Sequence, residues 1–158
     1  MQHQYPWIAI LDFGSQYTHL IARRVRELGV YSEILAHDTP ATELRGAGGI
    51  ILSGGPQSVT ESRLRPDPAI FETGLPILGL CFGHQLLAAI FGGSLHQSLE
   101  REYGEAVLSL TAEAKHSPLM RGLKTKQTVW MSHGDSVERV PEGFAVLAKT
   151  PACPVAAI

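Results

Sequence analysis

The chain is poor in cysteine. Its 158 residues hold two, Cys81 and Cys153, far apart in sequence. That excludes a disulfide framework and points to a reducing, cytoplasmic setting. There is no Cys-x-x-Cys pair and the seven histidines are scattered, so no metal site is expected. Charge of one sign is also scarce. Thirteen Lys and Arg stand against fifteen Asp and Glu, a net charge of −2, which leaves no broad electrostatic case for nucleic acid or an anionic membrane. No apolar run approaches the roughly 18–20 residues of a membrane span. The opening Met1-Gln2-His3-Gln4-Tyr5-Pro6-Trp7 lacks the basic and apolar regions of a signal peptide. Repeats, low-complexity tracts and linkers are absent as well. What is present has ordinary composition and is long enough for a single domain, 1–158, with a proper core.

Residues 7–12 form an apolar run ending in Asp12, a good first strand. Leu20, Ile21, Val25 and Leu28 follow at helical spacing, with Gly29 as a plausible stop. Arg23, Arg24 and Arg26 between them read as a solvated helix face rather than an anion site. Residues 30–36, 48–52 and 76–80 are three more strands. Apolar runs alternating with helical stretches predict a parallel sheet buried on both faces. Three of these strands end in distinctive loops, at Asp12-Phe13-Gly14-Ser15, Ser53-Gly54-Gly55-Pro56 and Cys81-Phe82-Gly83. Ligands of open parallel sheets bind at the carboxyl ends of strands, where such loops gather. Beyond Gly93 the texture changes. Residues 103–110, 127–131, 144–149 and 155–158 read as strands joined by polar turns, with one helical turn at Ser117-Pro118-Leu119-Met120.

The fourth strand runs into the stretch Gly79-Leu80-Cys81-Phe82-Gly83-His84-Gln85, and the helical pattern continues through Phe91. A small-residue turn between a buried strand and a helix is the geometry of a nucleophile elbow, with Cys81 at its tip. The helix N-terminus favours the thiolate, the reactive form. The plainer alternative is that Cys81 is a small residue ending a core strand. For Ser53-Gly54-Gly55-Pro56-Gln57-Ser58 three readings compete. It half-resembles the phosphate loop of ATP pyrophosphatases, but with Gln57 at the aspartate position and no strong helix behind it. It is also an acceptable structural turn. The third reading is an oxyanion hole, with the N–H of Gly55 as one donor and that of Phe82, the residue after the nucleophile, as the other. Pairing with the cysteine elbow favours the third.

Together these two motifs, in this order and each behind a strand, resemble the class I (triad-type) glutamine amidotransferases. The resemblance runs from about residue 7 to residue 158. It implies an α/β fold: a flavodoxin-like open, mostly parallel sheet with helices on both faces, plus an antiparallel β-rich C-terminal part. Two further segments, Asp12-Phe13-Gly14-Ser15-Gln16-Tyr17 with the arginine-rich helix after it, and Met131-Ser132-His133-Gly134-Asp135, resemble the branch of the family that supplies ammonia to purine-nucleotide amination. The resemblance implies that Cys81 attacks the side-chain amide of L-glutamine, releasing ammonia and leaving a glutamyl thioester that water cleaves. Gly55 and Phe82 would hold the oxyanion. Gln85 and the loop Ser132-His133-Gly134-Asp135 would hold the α-amino and α-carboxyl groups, with Gln57 beside them. No cofactor is implied for this activity. ATP and Mg²⁺ belong to a C-terminal ATP pyrophosphatase (synthetase) domain, the implied partner, and a homodimer would form through regions outside these residues.

The family also carries a His-Pro-Glu segment supplying the general base and its orienting acid, and none occurs here. The chain is therefore expected to be an incomplete amidotransferase domain with little or no glutaminase activity of its own. Of the histidines, His3, His19, His37, His96 and His116 have no motif context. His84 sits on the first helical turn and points along the helix rather than over the sulfur. His133 is the better stand-in base. Two other functions remain open: a stand-alone cysteine hydrolase of the same fold acting on γ-glutamyl substrates, and a non-catalytic flavodoxin-like binding module using Asp12.

Overall fold

The computed structural model describes residues 5–158, and of residues 98–102 the backbone alone. His3 lies outside the described residues. Two compact units make up the chain, Met1–His84 and Gln85–Ile158.

The first unit is built on a parallel sheet of β1 (Trp7–Asp12), β2 (Ser32–Ala36), β3 (Ala47–Leu52) and β4 (Ile77–Gly79), in the order β2-β1-β3-β4. Ile10 stands opposite Ile34 on one side and Ile51 on the other. These residues share a face with Ile8 and Leu78 and pack with Ala22, Ile21 and Val25 of helix α1 (Thr18–Glu27). Ala9, Leu11, Ile50 and Leu52 point the other way and are fully buried. Both faces are thus covered, which is why β1 and β3 read as unbroken apolar runs. Burying side chains of this size stabilises by about 1.5–3 kcal/mol each before chain entropy is charged against it.

The polar side of α1 is internally satisfied. Arg23 and Arg24 both reach Glu27, at 2.9 and 2.7 Å. Arg26 donates to the Ser32 carbonyl at 2.6 Å and lies over the Tyr31 ring. The arginines form a solvated face, as their spacing predicts. The helix ends where Gly29, at φ +78, donates its N–H to the Arg26 carbonyl.

One expectation needs correcting here. Strand β4 is not a buried strand: residues 77–80 are half-buried. Its position at the edge of the sheet, paired among the described residues with β3 alone, explains the difference.

The second unit carries an antiparallel sheet of β5 (Ser94–Leu110), β6 (Lys126–Arg139) and β7 (Ala148–Lys149), ordered β6-β5-β7. Ala88 of α2 (Phe82–Ile90), Val137 and Val155 form its core, with Leu95, Val140, Val146 and Ile158 packed around them. Strands β5 and β6 are much longer than the stretches predicted at 103–110 and 127–131. Residues 132–135 therefore lie in a strand, not in a loop. Ser132 pairs with Tyr103, His133 with Glu102 and Asp135 with Gln97. The small polar residues at 132–136 carry no strand propensity, and the ladder with β5 overrides it. The strand predicted at 144–149 shrinks to β7. Residues 155–158 make a single bridge, Ala148 with Ala157. Pro118–Met120 is a 3₁₀ turn with Ser117 before it, and that serine makes no side-chain cap bond.

In the first unit, two short 3₁₀ turns, Ala41–Leu44 and Pro68–Glu72, went unread in the sequence. Asp67 ties them together by accepting from the Ala41 N–H at 2.8 Å and the Ala69 N–H at 3.1 Å. These bonds, Ala41's first, hold its carboxyl below the usual value. Because the folded-state value is the lower one, the contribution of Asp67 to stability is present above the ordinary aspartate range near about 4 and is lost as pH falls through the folded value. Asp67→Asn should therefore flatten the acid limb of the stability profile. Urea midpoints between about pH 5 and 2 check this, and a limb as steep as that of the parent chain counts against it.

Candidate active site

The site-bearing residues of the first unit are assembled by a steric constraint at the end of β4. A Cβ on Gly79 would lie 2.5 Å from the carbonyl carbon and oxygen of Gly83 and 2.6 Å from the His84 nitrogen. A Cβ on Gly83 would collide with the Leu52 carbonyl oxygen and stand 2.8 Å from Leu52 Cβ. Backbone meets backbone at both positions, so only glycine fits. Strand and helix can then turn back on each other within four residues. Cys81, at the apex, has φ +50 and is the one residue other than glycine, among those described, with a positive φ. Such strain in a side-chain-bearing residue concentrates at functional sites. It leaves Cys81 exposed while its neighbour Phe82 is buried.

Strand β3 is stitched to this elbow on both sides of the cysteine. Leu80 N–H donates to the Leu52 carbonyl at 3.0 Å, and Gly83 N–H donates to the Ser53 carbonyl at 3.1 Å. The glycine loop after β3 is thereby laid against the nucleophile. A Cβ on Gly54 would be 3.6 Å from Cys81 Cβ, and one on Gly55 would be 3.3 Å from Phe82 Cγ and 2.8 Å from the Phe13 carbonyl oxygen. Residues 56–67 contain turns and no helix. A phosphate loop needs a helix N-terminus behind it, so this segment does not fit ATP. Phe82 opens α2, where its N–H belongs to the first turn and lacks a helical acceptor. Gly55 and Phe82 thus stand together beside Cys81. Gln57, two residues on, is exposed.

The loop after β1 joins the same cluster. Ser53 is fully buried; its Oγ accepts from the Phe13 N–H and donates to the Gly54 carbonyl, both at 2.9 Å. Asp12 Oδ1 accepts from Gly14 N–H at 2.9 Å and from Thr18 Oγ1 at 2.7 Å. Sequence reasoning placed Asp12 and Ser53 in strand-end loops but missed their side chains as the ties between those loops. An acid or a hydroxyl directly after an apolar strand is the signal that marks them.

In the second unit, Gln85 and Asp135 are both buried, and Gln85 Nε2 donates to the Asp135 carbonyl at 2.6 Å. Gln85 is therefore anchored to the segment with which the resemblance groups it. Ser132 is exposed, Gly134 is half-buried, and His133 is half-buried with its Nε2 enclosed. His84 lies in the first turn of α2. Cys153 is buried. Among the described residues, no three His, Cys, Asp or Glu side chains gather as a metal centre would need, and no helix is long and apolar enough to cross a membrane.

Known proteins are similar to this chain. A family model described as glutamine amidotransferase class-I matches residues 9–158. Two curated proteins, both named GMP synthase (glutamine-hydrolyzing), align over 154 residues, 96% of this chain. The one from Lactobacillus delbrueckii subsp. bulgaricus is 51% identical and the one from Geobacillus kaustophilus 53%. The chain spans 29% and 30% of their lengths. Among solved structures, a GMP synthase subunit protein from Thermoplasma acidophilum superposes with a TM-score of 0.83 at 32% identity, covering 97% of this chain and 77% of that one. A glutamine amidotransferase from Thermotoga maritima, at 21% identity and TM-score 0.72, shares the fold.

The positive φ at Cys81 has a measurable consequence. In ordinary backbone, glycine is less stable than alanine by roughly 0.5–1 kcal/mol, whereas a left-handed conformation costs a residue with a Cβ about 1–2 kcal/mol. Cys81→Gly should therefore be at least as stable as Cys81→Ala in urea unfolding. Alanine ahead by the ordinary margin would argue against the strained elbow.

Proposed function

This chain belongs to the class-I glutamine amidotransferase family, and from that premise we propose that, once joined by a general base that residues 1–158 do not supply, it hydrolyses the side-chain amide of L-glutamine at Cys81 and passes on the ammonia. What carries the reading is the exposed Cys81 at φ +50, between a strand and a helix, with Gly55 laid against Phe82.

The Cys81 sulfur attacks the amide carbon. The oxygen of that amide becomes negatively charged and takes the N–H groups of Gly55 and Phe82. As the tetrahedral species collapses, the carbon–nitrogen bond breaks. The nitrogen leaves as ammonia, having gained the proton that the Cys81 thiol gave up on attack, and a glutamyl thioester remains. Water then adds to the thioester, the carbon–sulfur bond breaks, and glutamate departs. Gln85, Ser132, His133, Gly134 and Asp135 hold the amino-acid end of the substrate, with Gln57 beside them. The Asp135 carboxylate suits the α-ammonium group by charge. The Gln85–Asp135 hydrogen bond, 2.6 Å long, supports treating this set as one binding element.

The names of the curated relatives extend the reading to a destination for the ammonia. We propose that it aminates XMP to GMP in a synthetase domain C-terminal to these residues, where ATP and Mg²⁺ would act. The γ-glutamyl hydrolase and flavodoxin-like module readings have no comparable support.

Two measurements test the reading. A chloroketone analogue of glutamine should label Cys81, spare Cys153, and be slowed by free glutamine; peptide mass spectrometry reports which thiol reacted. Equal labelling of both thiols, unaffected by glutamine, would sink the proposal. Residues 1–158 include no His-Pro-Glu segment, and a cysteine nucleophile depends on an adjacent general base to take its proton. Glutamate release by these residues alone should accordingly be close to background. Brisk release that vanished in Cys81→Ala would show that another group takes the proton.

A further inference from the structure

The turn after β1, Asp12 to Thr18, has no role in the reaction just described, yet it ends beside the nucleophile. A Cβ built on Gly54 would stand 3.4 Å from Ser15 Oγ, 3.7 Å from Ser15 Cβ and 3.6 Å from Cys81 Cβ. The bare Cα of Gly54 is therefore the floor on which the Ser15 and Cys81 side chains converge. The turn holds Ser15 there firmly. Asp12 Oδ1 accepts from Gly14 and Thr18, Thr18 N–H donates to the Ser15 carbonyl at 3.2 Å, and Phe13 N–H is held by the buried Ser53. Gly14, at φ +92, packs towards Pro56, a Cβ there lying 3.5 Å from its Cδ. Ser15 itself is half-buried, and its Oγ accepts from the Tyr17 N–H at 3.0 Å. A serine oxygen has two acceptor sites and one donor, so the second acceptor site remains for a ligand.

We infer that Ser15 is a substrate-contacting residue whose Oγ accepts a hydrogen bond from the amide N–H₂ of the glutamine bound at Cys81. This rests on the glutaminase reading above and deepens it. The carbon under attack carries three groups. Its oxygen goes to the Gly55 and Phe82 N–H groups, and its methylene leads to the amino-acid end. The nitrogen is left for the remaining side, where Gly54 offers no side chain and Ser15 offers an acceptor. Such a contact selects a carboxamide, which donates, over an ester, which cannot. It gives Ser15 a specificity role distinct from that of the oxyanion donors.

The test uses the full chain and needs no turnover. Cys81 is labelled with the chloroketone analogue, which has no amide nitrogen, in the presence of L-glutamine or L-glutamate γ-methyl ester as protectant. With each protection read against the variant's own unprotected labelling rate, Ser15→Ala should be protected by the ester as well as the parent is. Glutamine should protect it about five- to tenfold less well, the loss expected for one neutral hydrogen bond. Ser15→Thr, which keeps the hydroxyl, should retain protection by glutamine. A Ser15→Ala variant protected by glutamine as well as the parent overturns the inference and leaves the glutaminase reading intact. Equal loss of protection by glutamine and ester overturns it too, because it marks a merely structural role. If Ser15→Ala fails to fold or to be labelled, Ser15→Thr decides: parent-like protection by glutamine supports the inference, and weakened protection by glutamine alone overturns it. If the parent chain is labelled without protection by glutamine, the glutaminase reading fails first and takes this inference with it.

Discussion

The Leu52 carbonyl oxygen occupies the place a Cβ of residue 83 would need, and residue 79 presses on residue 83 in the same way. Close approach of three backbone segments is the constraint from which the rest of the first unit follows. It lets β4 turn into α2 with only Leu80 and Cys81 between them, and it forces the apical residue into a left-handed conformation. It also brings the end of β3 near enough for hydrogen bonds on both sides of Cys81, from Leu80 and from Gly83. An elbow with side chains at these glycines would have to open, and opening it would move the Gly54-Gly55 loop away from the sulfur.

The loops around Cys81 are held by buried polar ties rather than by packing alone. Ser53 joins the β1 and β3 loops through one hydroxyl, accepting from Phe13 and donating to Gly54. The Phe13 and Phe82 rings pack at 5.3 Å beneath them. A buried hydroxyl left without partners would cost about 1–3 kcal/mol, so this joint is specific as well as stabilising. Preorganised donors of this kind suit a reaction in which negative charge appears on a single oxygen.

The two units differ in how their sequence encodes them. In the first, apolar runs, glycine stops and a helix face of regular period all agree, and β1, α1 and β3 form where the pattern places them. In the second, strand length depends on partners. Residues 132–135 look like a loop by composition, yet they are strand because β5 supplies a ladder for them. Residues 144–147 and 155–158 look apolar enough for strands, yet ladder pairing is confined to β7, with one bridge at Ala157. Strand identity there is a property of pairs, which no single stretch records.

The sequence by itself determined the parallel α/β core and the strand-to-helix turn with Cys81 at its tip. Each of these rests on local chemistry: hydrophobic period, or a backbone position that only glycine tolerates. Tertiary structure alone decided that β4 is a half-exposed edge, that Cys81 carries the backbone strain, that Gln85 anchors to Asp135, and that Ser15 stands beside the nucleophile. These depend on which segments of distant sequence meet. Residues 15, 54 and 81 converge because a parallel sheet brings the ends of strands β1, β3 and β4 to one edge, and spacing along the chain carries no measure of that distance.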